Sequence, residues 1–221
     1  LRVNVVTLKI AVLISGRGSN LQALMAACQD PTYPAEIVAV ISNEPEARGI
    51  KYAADARLPT HIVDHRNYPS RHEFEQQLTA IMISSGVELI CLAGFMRLLS
   101  NKFVTQWSNK LINIHPSLLP AFKGLHAQEQ AISSGVKFSG CTVHFVREKM
   151  DTGPIICQAV VPIHDIDNAD TLTKKILEQE HKIYPIAVFW IAKGLLSITN
   201  ERTNIKRKTS PATSMINPGP T

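Results

Sequence analysis

The turn Ser15-Gly16-Arg17-Gly18-Ser19-Asn20 constrains this chain more than any other segment. It lies between a run rich in β-branched residues, Lys9 to Ser15, and a stretch of helical period from Asn20 to Cys28. It therefore reads as the strand-to-helix turn of a βα unit. Glycines let the backbone turn tightly, and the free N–H groups and dipole of the following helix make a natural phosphate site. The turn begins like the dinucleotide fingerprint G-x-G-x-x-G, but Leu21 stands where the third glycine belongs, which disfavours a nicotinamide cofactor. Phosphate binding and a purely structural turn both stay open at this point.

The same alternation continues. Strands are expected at Glu36 to Ile41, Leu89 to Leu92 and Leu111 to His115, with helices at Pro45 to Ala56, Ser70 to Ser84 and Asn101 to Trp107. Ser70 and Glu73 form an S-x-x-E capping box at the start of one helix. Beyond Ser139, two strand-like runs, Ser139 to Val146 and Pro154 to Val161, have no helix between them and suggest an antiparallel hairpin. A long apolar helical region, Asp170 to Lys193, follows, and Pro185 should break or kink it. The fold class is α/β, with a Rossmann-like, mainly parallel twisted sheet flanked by helices and an antiparallel hairpin in the C-terminal part. Residues 1–199 are expected to form a single domain, and residues 200–221, rich in Asn, Thr, Ser, Pro and Lys, a mobile tail.

Charge adds little to the case for a polyanionic partner. Arg202, Lys206, Arg207 and Lys208 against Glu201 place +3 of the formal +5 in the last 21 residues, so the balance elsewhere is too small to argue for nucleic acid. Cys28, Cys91, Cys141 and Cys157 are scattered among apolar neighbours with no C-x-x-C pair, and read as core residues of a reducing compartment. The chain shows no secretory pattern at its start and no run of ~20 apolar residues, so a soluble, cytoplasmic protein without a membrane partner is expected.

Two further segments could carry chemistry. In Asn113-Ile114-His115-Pro116-Ser117-Leu118-Leu119-Pro120, strand alternation puts Asn113 and His115 on one face, and the prolines stiffen the loop that follows. An amide donor and an imidazole thus arrive together at the carboxyl end of a strand, where open α/β sheets place ligands; simple loop capping is the alternative. The hairpin loop Lys149-Met150-Asp151-Thr152-Gly153-Pro154 is an ordinary turn signal unless Asp151 reaches His115, where it would favour the charged ring and orient it. His115, His126, His144 and Asp151 match no metal-ligand spacing, so no metal is expected, and His144 reads as a surface or satisfied core residue.

Taken together, V-L-I-S-G-R-G-S-N-L-Q, L-A-G-F-M-R-L-L-S, N-I-H-P-S-L-L-P, M-D-T-G-P-I-I and E-Q-E-H-K-I-Y-P resemble the phosphoribosylglycinamide formyltransferases, over about Lys9 to Leu196. N-I-H-P-S-L-L-P is shared more widely among formyltransferases that use formyl folates, so it points to the chemistry and not to the acceptor. The resemblance implies the formyltransferase fold and transfer of a formyl group from 10-formyltetrahydrofolate, as co-substrate, to the amine of phosphoribosylglycinamide in purine synthesis. By the same resemblance Asn113, His115 and Asp151 would be catalytic. Gly18, Ser19 and Asn20 would bind the phosphate, and Glu180 the ribose hydroxyls. Arg71, Met96, Arg97, Leu98, Leu99, Arg147, Glu148, Lys149, Met150 and Asp151 would line the folate pocket. Gln128 stands where some relatives carry a second histidine, while His126 is kept. The partners would be these small molecules, and the protein a monomer or homodimer. A transfer-RNA formyltransferase should carry a further basic C-terminal domain, and a formyl folate hydrolase a regulatory domain before the catalytic one. A non-catalytic sensor would not need Asn113, His115 and Asp151 together.

Overall fold

The computed structural model describes residues 7–206. Seven strands make one sheet: β1 (Leu8–Ile14), β2 (Ala35–Ser42), β3 (Thr60–Ile62), β4 (Leu89–Leu92), β5 (Leu111–His115), β6 (Phe138–Phe145) and β7 (Ile155–Pro162). Their order is β3-β2-β1-β4-β5-β6-β7. The first five strands pair in parallel, β6 runs antiparallel to β5, and β7 antiparallel to β6. The helices are α1 (Ser19–Cys28), α2 (Arg48–Asp55), α3 (Arg71–Ser84), α4 (Asn101–Gln106), α5 (Ala127–Ser133) and α6 (Ala169–Ala192). The α/β class and the C-terminal hairpin agree with the alternation in the sequence.

An uninterrupted apolar strand is needed at β1 because both faces of the sheet are covered. Ile10, Val12 and Ile14 enter a cluster with Leu21 and Leu24 of α1 and Ile176, Tyr184 and Val188 of α6. Ala11 and Leu13 enter a second cluster with Phe74, Leu78 and Met82 of α3. Residues Ile10 to Ile14 are all fully buried. Each large side chain among them contributes about 1.5–3 kcal/mol by leaving water.

Three expectations need correction. Helix α2 begins at Arg48, not near Pro45, because Ala47 is still extended. Pro185 does not break α6, which runs unbroken over 24 residues. The proline removes one helix hydrogen bond, but Ile183, Tyr184, Ala187 and Val188 around it are buried in the core, and the carbonyl of Pro185 accepts from Tyr33 Oη at 2.7 Å. Packing of the apolar face outweighs the local cost. The segment expected to start a mobile tail instead forms a second, two-stranded sheet, β8 (Leu196–Thr199) with β9 (Arg202–Ile205). The turn between them is made by Asn200 and Glu201, both left-handed at φ 51° and 55°, the conformation that two-residue hairpin turns require. No glycine announces it. Residues 207–221, the rest of the expected tail, lie outside the described residues, as do residues 1–6. Among the described residues, no helix is long and apolar enough to cross a membrane.

Helix α6 starts at a full capping box. The Asn168 side chain accepts from the backbone N–H groups of Asp170 and Thr171, and Thr171 Oγ1 accepts from the N–H of Asn168. Replacing such a cap by alanine costs ~1 kcal/mol. Asn168→Ala is therefore expected to lower the thermal midpoint by about 2–4 °C, measured by calorimetry; an unchanged midpoint would show that packing alone sets the start of α6.

Candidate functional site

The chain reverses its direction of travel across the sheet between β1 and β4, with β2 and β3 on one side and β5 on the other. A crevice opens at the carboxyl ends of the strands at such a switch point. The glycine turn follows β1 there, and the loop 93–100 follows β4. Two hydrogen bonds join them: Ser15 N–H donates to the Gly94 carbonyl at 3.1 Å, and Met96 N–H to Ser15 Oγ at 2.7 Å. Ser15 Oγ in turn donates to Asn43 beyond β2.

Gly18 caps α1 in the left-handed region, at φ 74°. A Cβ there would come within 2.7 Å of the Cα of Gly49 in α2, and Gly49 N–H donates to the Gly16 carbonyl at 3.0 Å. Turn and helix thus meet backbone to backbone. No side chain caps α1 from position 18, and the half-buried Ser19 opens its first turn. The Asn20 side chain turns inward instead: its Nδ2 donates to Glu180 Oε2 of α6 at 2.7 Å, while its Oδ1 is buried without a partner. Glu180 is only 5 % exposed. Burial pushes its carboxyl above the ordinary glutamate value, with the Asn20 amide opposing.

Of the residues expected to be catalytic, His115 and Asp151 meet directly. Asp151, left-handed at φ 52°, accepts on Oδ2 from the N–H of Gly124 at 2.8 Å, and that oxygen lies 3.5 Å from His115 Nδ1. The other nitrogen of His115, Nε2, lies 2.9 Å from the Phe122 carbonyl, which can only accept, so Nε2 carries a proton. Two acceptors thus face the two ring nitrogens, and the ring is held in one orientation.

His144, read from the sequence as a surface or satisfied core residue, is a buried, hydrogen-bonded one, and what sequence reasoning missed is its place beside Asn113 and Asp151. It pairs with Asn113 across β5 and β6, is 1 % exposed, and its Nδ1 lies 2.9 Å from the Phe145 carbonyl, to which it donates. Nε2 then faces Asn113 Nδ2 at 3.4 Å and Asp151 Oδ1 at 3.8 Å. Burial lowers its pKa, against the Phe145 carbonyl and Asp151, which raise it. A neutral ring can accept from Asn113 and so aim the amide. The antiparallel register, had it been assigned, was the signal that could have found it.

The residues assigned to the folate pocket fall into two groups. Arg71, at the first turn of α3, lines a cleft of about 180 Å³ with Arg97, Leu98, His65, Tyr68 and Phe74. Arg147, Glu148 and Lys149 line another of about 330 Å³ with Val104, Thr105 and Thr152. Met96, Leu98 and Met150 are largely exposed, and Leu99 is half-buried. Glu75 of α3, buried, accepts from Ser100 N–H at 2.6 Å and from the Ser100 hydroxyl, tying the loop 96–99 to the helix that begins at Arg71. His126 is exposed just before α5, with its Nδ1 3.2 Å from Glu129 Oε1. No three His, Cys, Asp or Glu side chains among the described residues are placed to hold a metal ion.

Comparison with known families matches residues 8–188 to the formyl transferase family. The chain belongs to that family. A formyl transferase of Haemophilus influenzae, phosphoribosylglycinamide formyltransferase, is 39% identical over 209 residues, which are 95% of this chain and 99% of that protein. A solved structure described as glycinamide ribonucleotide transformylase 1 from Symbiobacterium toebii superposes with a TM-score of 0.90 at 44% identity, covering 93% of this chain and 97% of the other. The trifunctional purine biosynthetic protein adenosine-3 of Gallus gallus is 47% identical over 190 residues; these are 86% of this chain but only 19% of that longer protein. The formyl transferase fold expected from the sequence is the fold observed.

Glu180 yields a test within this formyl transferase that does not depend on turnover. Its carboxyl is easier to protonate folded than unfolded, so it opposes folding increasingly as pH rises above the ordinary value of about 4.5. Glu180→Gln removes that charge yet keeps an oxygen that can accept from Asn20. The midpoint of thermal unfolding at pH 7 is expected to stay level or rise, with a smaller advantage at pH 4; a marked fall at pH 7 would show that the carboxylate stabilises the fold.

Proposed function

We propose that this formyl transferase moves the formyl group of 10-formyltetrahydrofolate to the amine of phosphoribosylglycinamide, the acceptor for which its bacterial relatives are named, in the synthesis of purines. The observation that carries the chemical part is that Asp151 lies 3.5 Å from His115 and 3.8 Å from His144, whose ring faces Asn113 at 3.4 Å. The near-complete coverage of relatives named for this acceptor supports the choice of acceptor.

In the reaction, the neutral amine attacks the formyl carbon, and the carbonyl π pair moves to oxygen to give a tetrahedral intermediate. Asn113 Nδ2 and a protonated His115 donate to that oxygen, the negative charge of which is the main thing to be stabilised. His115 exchanges the Phe122 carbonyl for the substrate oxygen as acceptor of its Nε2 proton. Asp151 balances the positive ring and, through a water, accepts a proton from the ammonium and delivers it to N10 of the folate. The carbon–N10 bond then breaks, the oxygen reforms its double bond, and N-formylated phosphoribosylglycinamide and tetrahydrofolate leave. His144 holds the Asn113 amide in place.

The acceptor's phosphate fits the uncapped first turn of α1 at Gly18, Ser19 and Asn20, and its ribose hydroxyls the Glu180 carboxyl beside the unpartnered Asn20 Oδ1. Arg71 and Arg97 suit the carboxylates of the donor's glutamyl end, and the loop 147–151 with Val104 the pterin end. The four free cysteines suit a reducing compartment such as the cytoplasm.

Purified protein given 10-formyltetrahydrofolate should consume it, followed by folate absorbance, only when phosphoribosylglycinamide is present; consumption without that acceptor would make the chain a hydrolase. His115→Ala and Asp151→Asn should each lower kcat by roughly 100-fold or more with smaller changes in KM, the loss expected for a charged transition-state contact. Near-normal turnover would take that residue out of the mechanism.

A further inference from the structure

The loop 146–154 that presents Asp151 is held at its neck from outside the catalytic site. At the neck itself Phe145 N–H donates to the Pro154 carbonyl at 2.9 Å, and Gly153 lies so close that a Cβ would fall 1.7 Å from the Phe145 carbonyl oxygen. At the entry to the loop, every nitrogen of the Arg147 guanidinium is used. Nε donates to Glu201 Oε2 at 2.7 Å, Nη2 to Asn109 Oδ1 at 2.8 Å and to Glu201 Oε1 at 3.4 Å, and Nη1 to the Val146 carbonyl at 3.1 Å. At the exit, Thr203 Oγ1 of β9 donates to the Ile155 carbonyl. The small β8–β9 sheet therefore grips both ends of the loop whose tip carries Asp151.

The two side chains that hold Arg147 share a second property. Asn109, between α4 and β5, and Glu201, in the β8–β9 turn, both sit in the left-handed region, at φ 59° and 55°. Glycine occupies that conformation with least strain, and a glutamate there is unusual. A residue kept against local preference points to a use for its side chain. Stability alone is a weak reason, since the Glu201 side chain is 66 % exposed and exposed ion pairs contribute little.

We propose that Glu201 and Asn109, acting through Arg147, are positioning residues that hold the 146–154 loop so that Asp151 meets His115. The proposal rests on the catalytic reading of Asp151 given above. It also assigns Arg147, one of the residues expected to line the folate pocket, to bracing this loop, its guanidinium being already met by Glu201 and Asn109.

Glu201→Gly and Asn109→Gly separate this role from a structural one, because each removes an acceptor while easing the backbone. Each variant is expected to lower kcat by about 5–10-fold, a moderate loss for displacement of a catalytic group by a fraction of an ångström, with KM for 10-formyltetrahydrofolate within twofold of the parent. The thermal midpoint should stay level or rise. Amide hydrogen exchange should quicken in 147–153 and not in 196–205, and Glu201→Gln, which keeps one acceptor oxygen, should recover part of the lost turnover. Unchanged kcat and exchange would overturn the proposal, as would a kcat loss that comes only with a lower midpoint and faster exchange through β8–β9. A raised folate KM at normal kcat would overturn it too, by making Arg147 a direct donor contact. Asp151→Asn assayed in parallel keeps the two ideas apart: full activity there removes Asp151 from the mechanism, whereas the exchange measurement judges the brace without reference to turnover.

Discussion

Strand β6 runs back along β5 in one register, and the geometry of the candidate site rests on that pairing. Asn113 faces His144 and His115 faces Thr142. On the opposite face of the same two strands, Ile112, Ile114, Val143 and Phe145 enter the apolar core. A slip of β6 by one residue would turn its faces over, sending Thr142 and His144 into hydrocarbon and Val143 and Phe145 into the crevice. Core burial therefore fixes the alignment of the polar side chains on the other face. Thr142 adds a second service: its hydroxyl donates to the Ser117 carbonyl at 2.7 Å and accepts from Leu119 N–H at 3.1 Å, fastening the loop after His115 to the neighbouring strand.

The interior on which this alignment depends is hostile to charge, and the molecule treats its ionisable groups accordingly. Burial pushes the thiols of Cys28 to about 11 and of Cys157 to about 12, and those of Cys91 and Cys141 higher still, so all four behave as small apolar residues at neutral pH. Asp151 is different: its oxygens meet a backbone N–H and approach two imidazoles. Glu180 stands between these cases, with one amide partner and little water. Such a group is better completed by a donor from outside than by the fold itself.

What could be read from the sequence followed from local rules. The βα alternation, the Ser70 cap, the hairpin after Ser139 and the shared face of Asn113 and His115 are each set by residues close together in the chain, and each is found in the structure. That His115 and Asp151 meet was a conditional reading, because 35 intervening residues had to be folded first; the structure puts them 3.5 Å apart. What escaped was non-local. His144 looks like any polar residue in an alternating strand until its partner strand is known. The intact α6 reflects packing that Pro185 cannot report, and the β8–β9 turn lacks the glycine that normally signals one. Glu75 gave no sign of its contact with Ser100, since a glutamate in a helix is usually solvated.

The contact between Gly18 and Gly49 has a consequence for how this protein can change over time. Most crowded pairs in a core can trade volume, one side chain shrinking as the other grows. Here neither partner has a side chain to surrender, and Gly18 also holds a backbone shape that other residues resist. A side chain at Gly18 would meet the Gly49 backbone, which no substitution can trim, whereas one at Gly49 would first meet Ile14 Cδ1 at 2.4 Å. Gly18 therefore cannot trade volume with α2, so lineages drifting elsewhere in that helix would still meet a fixed point in the turn after β1.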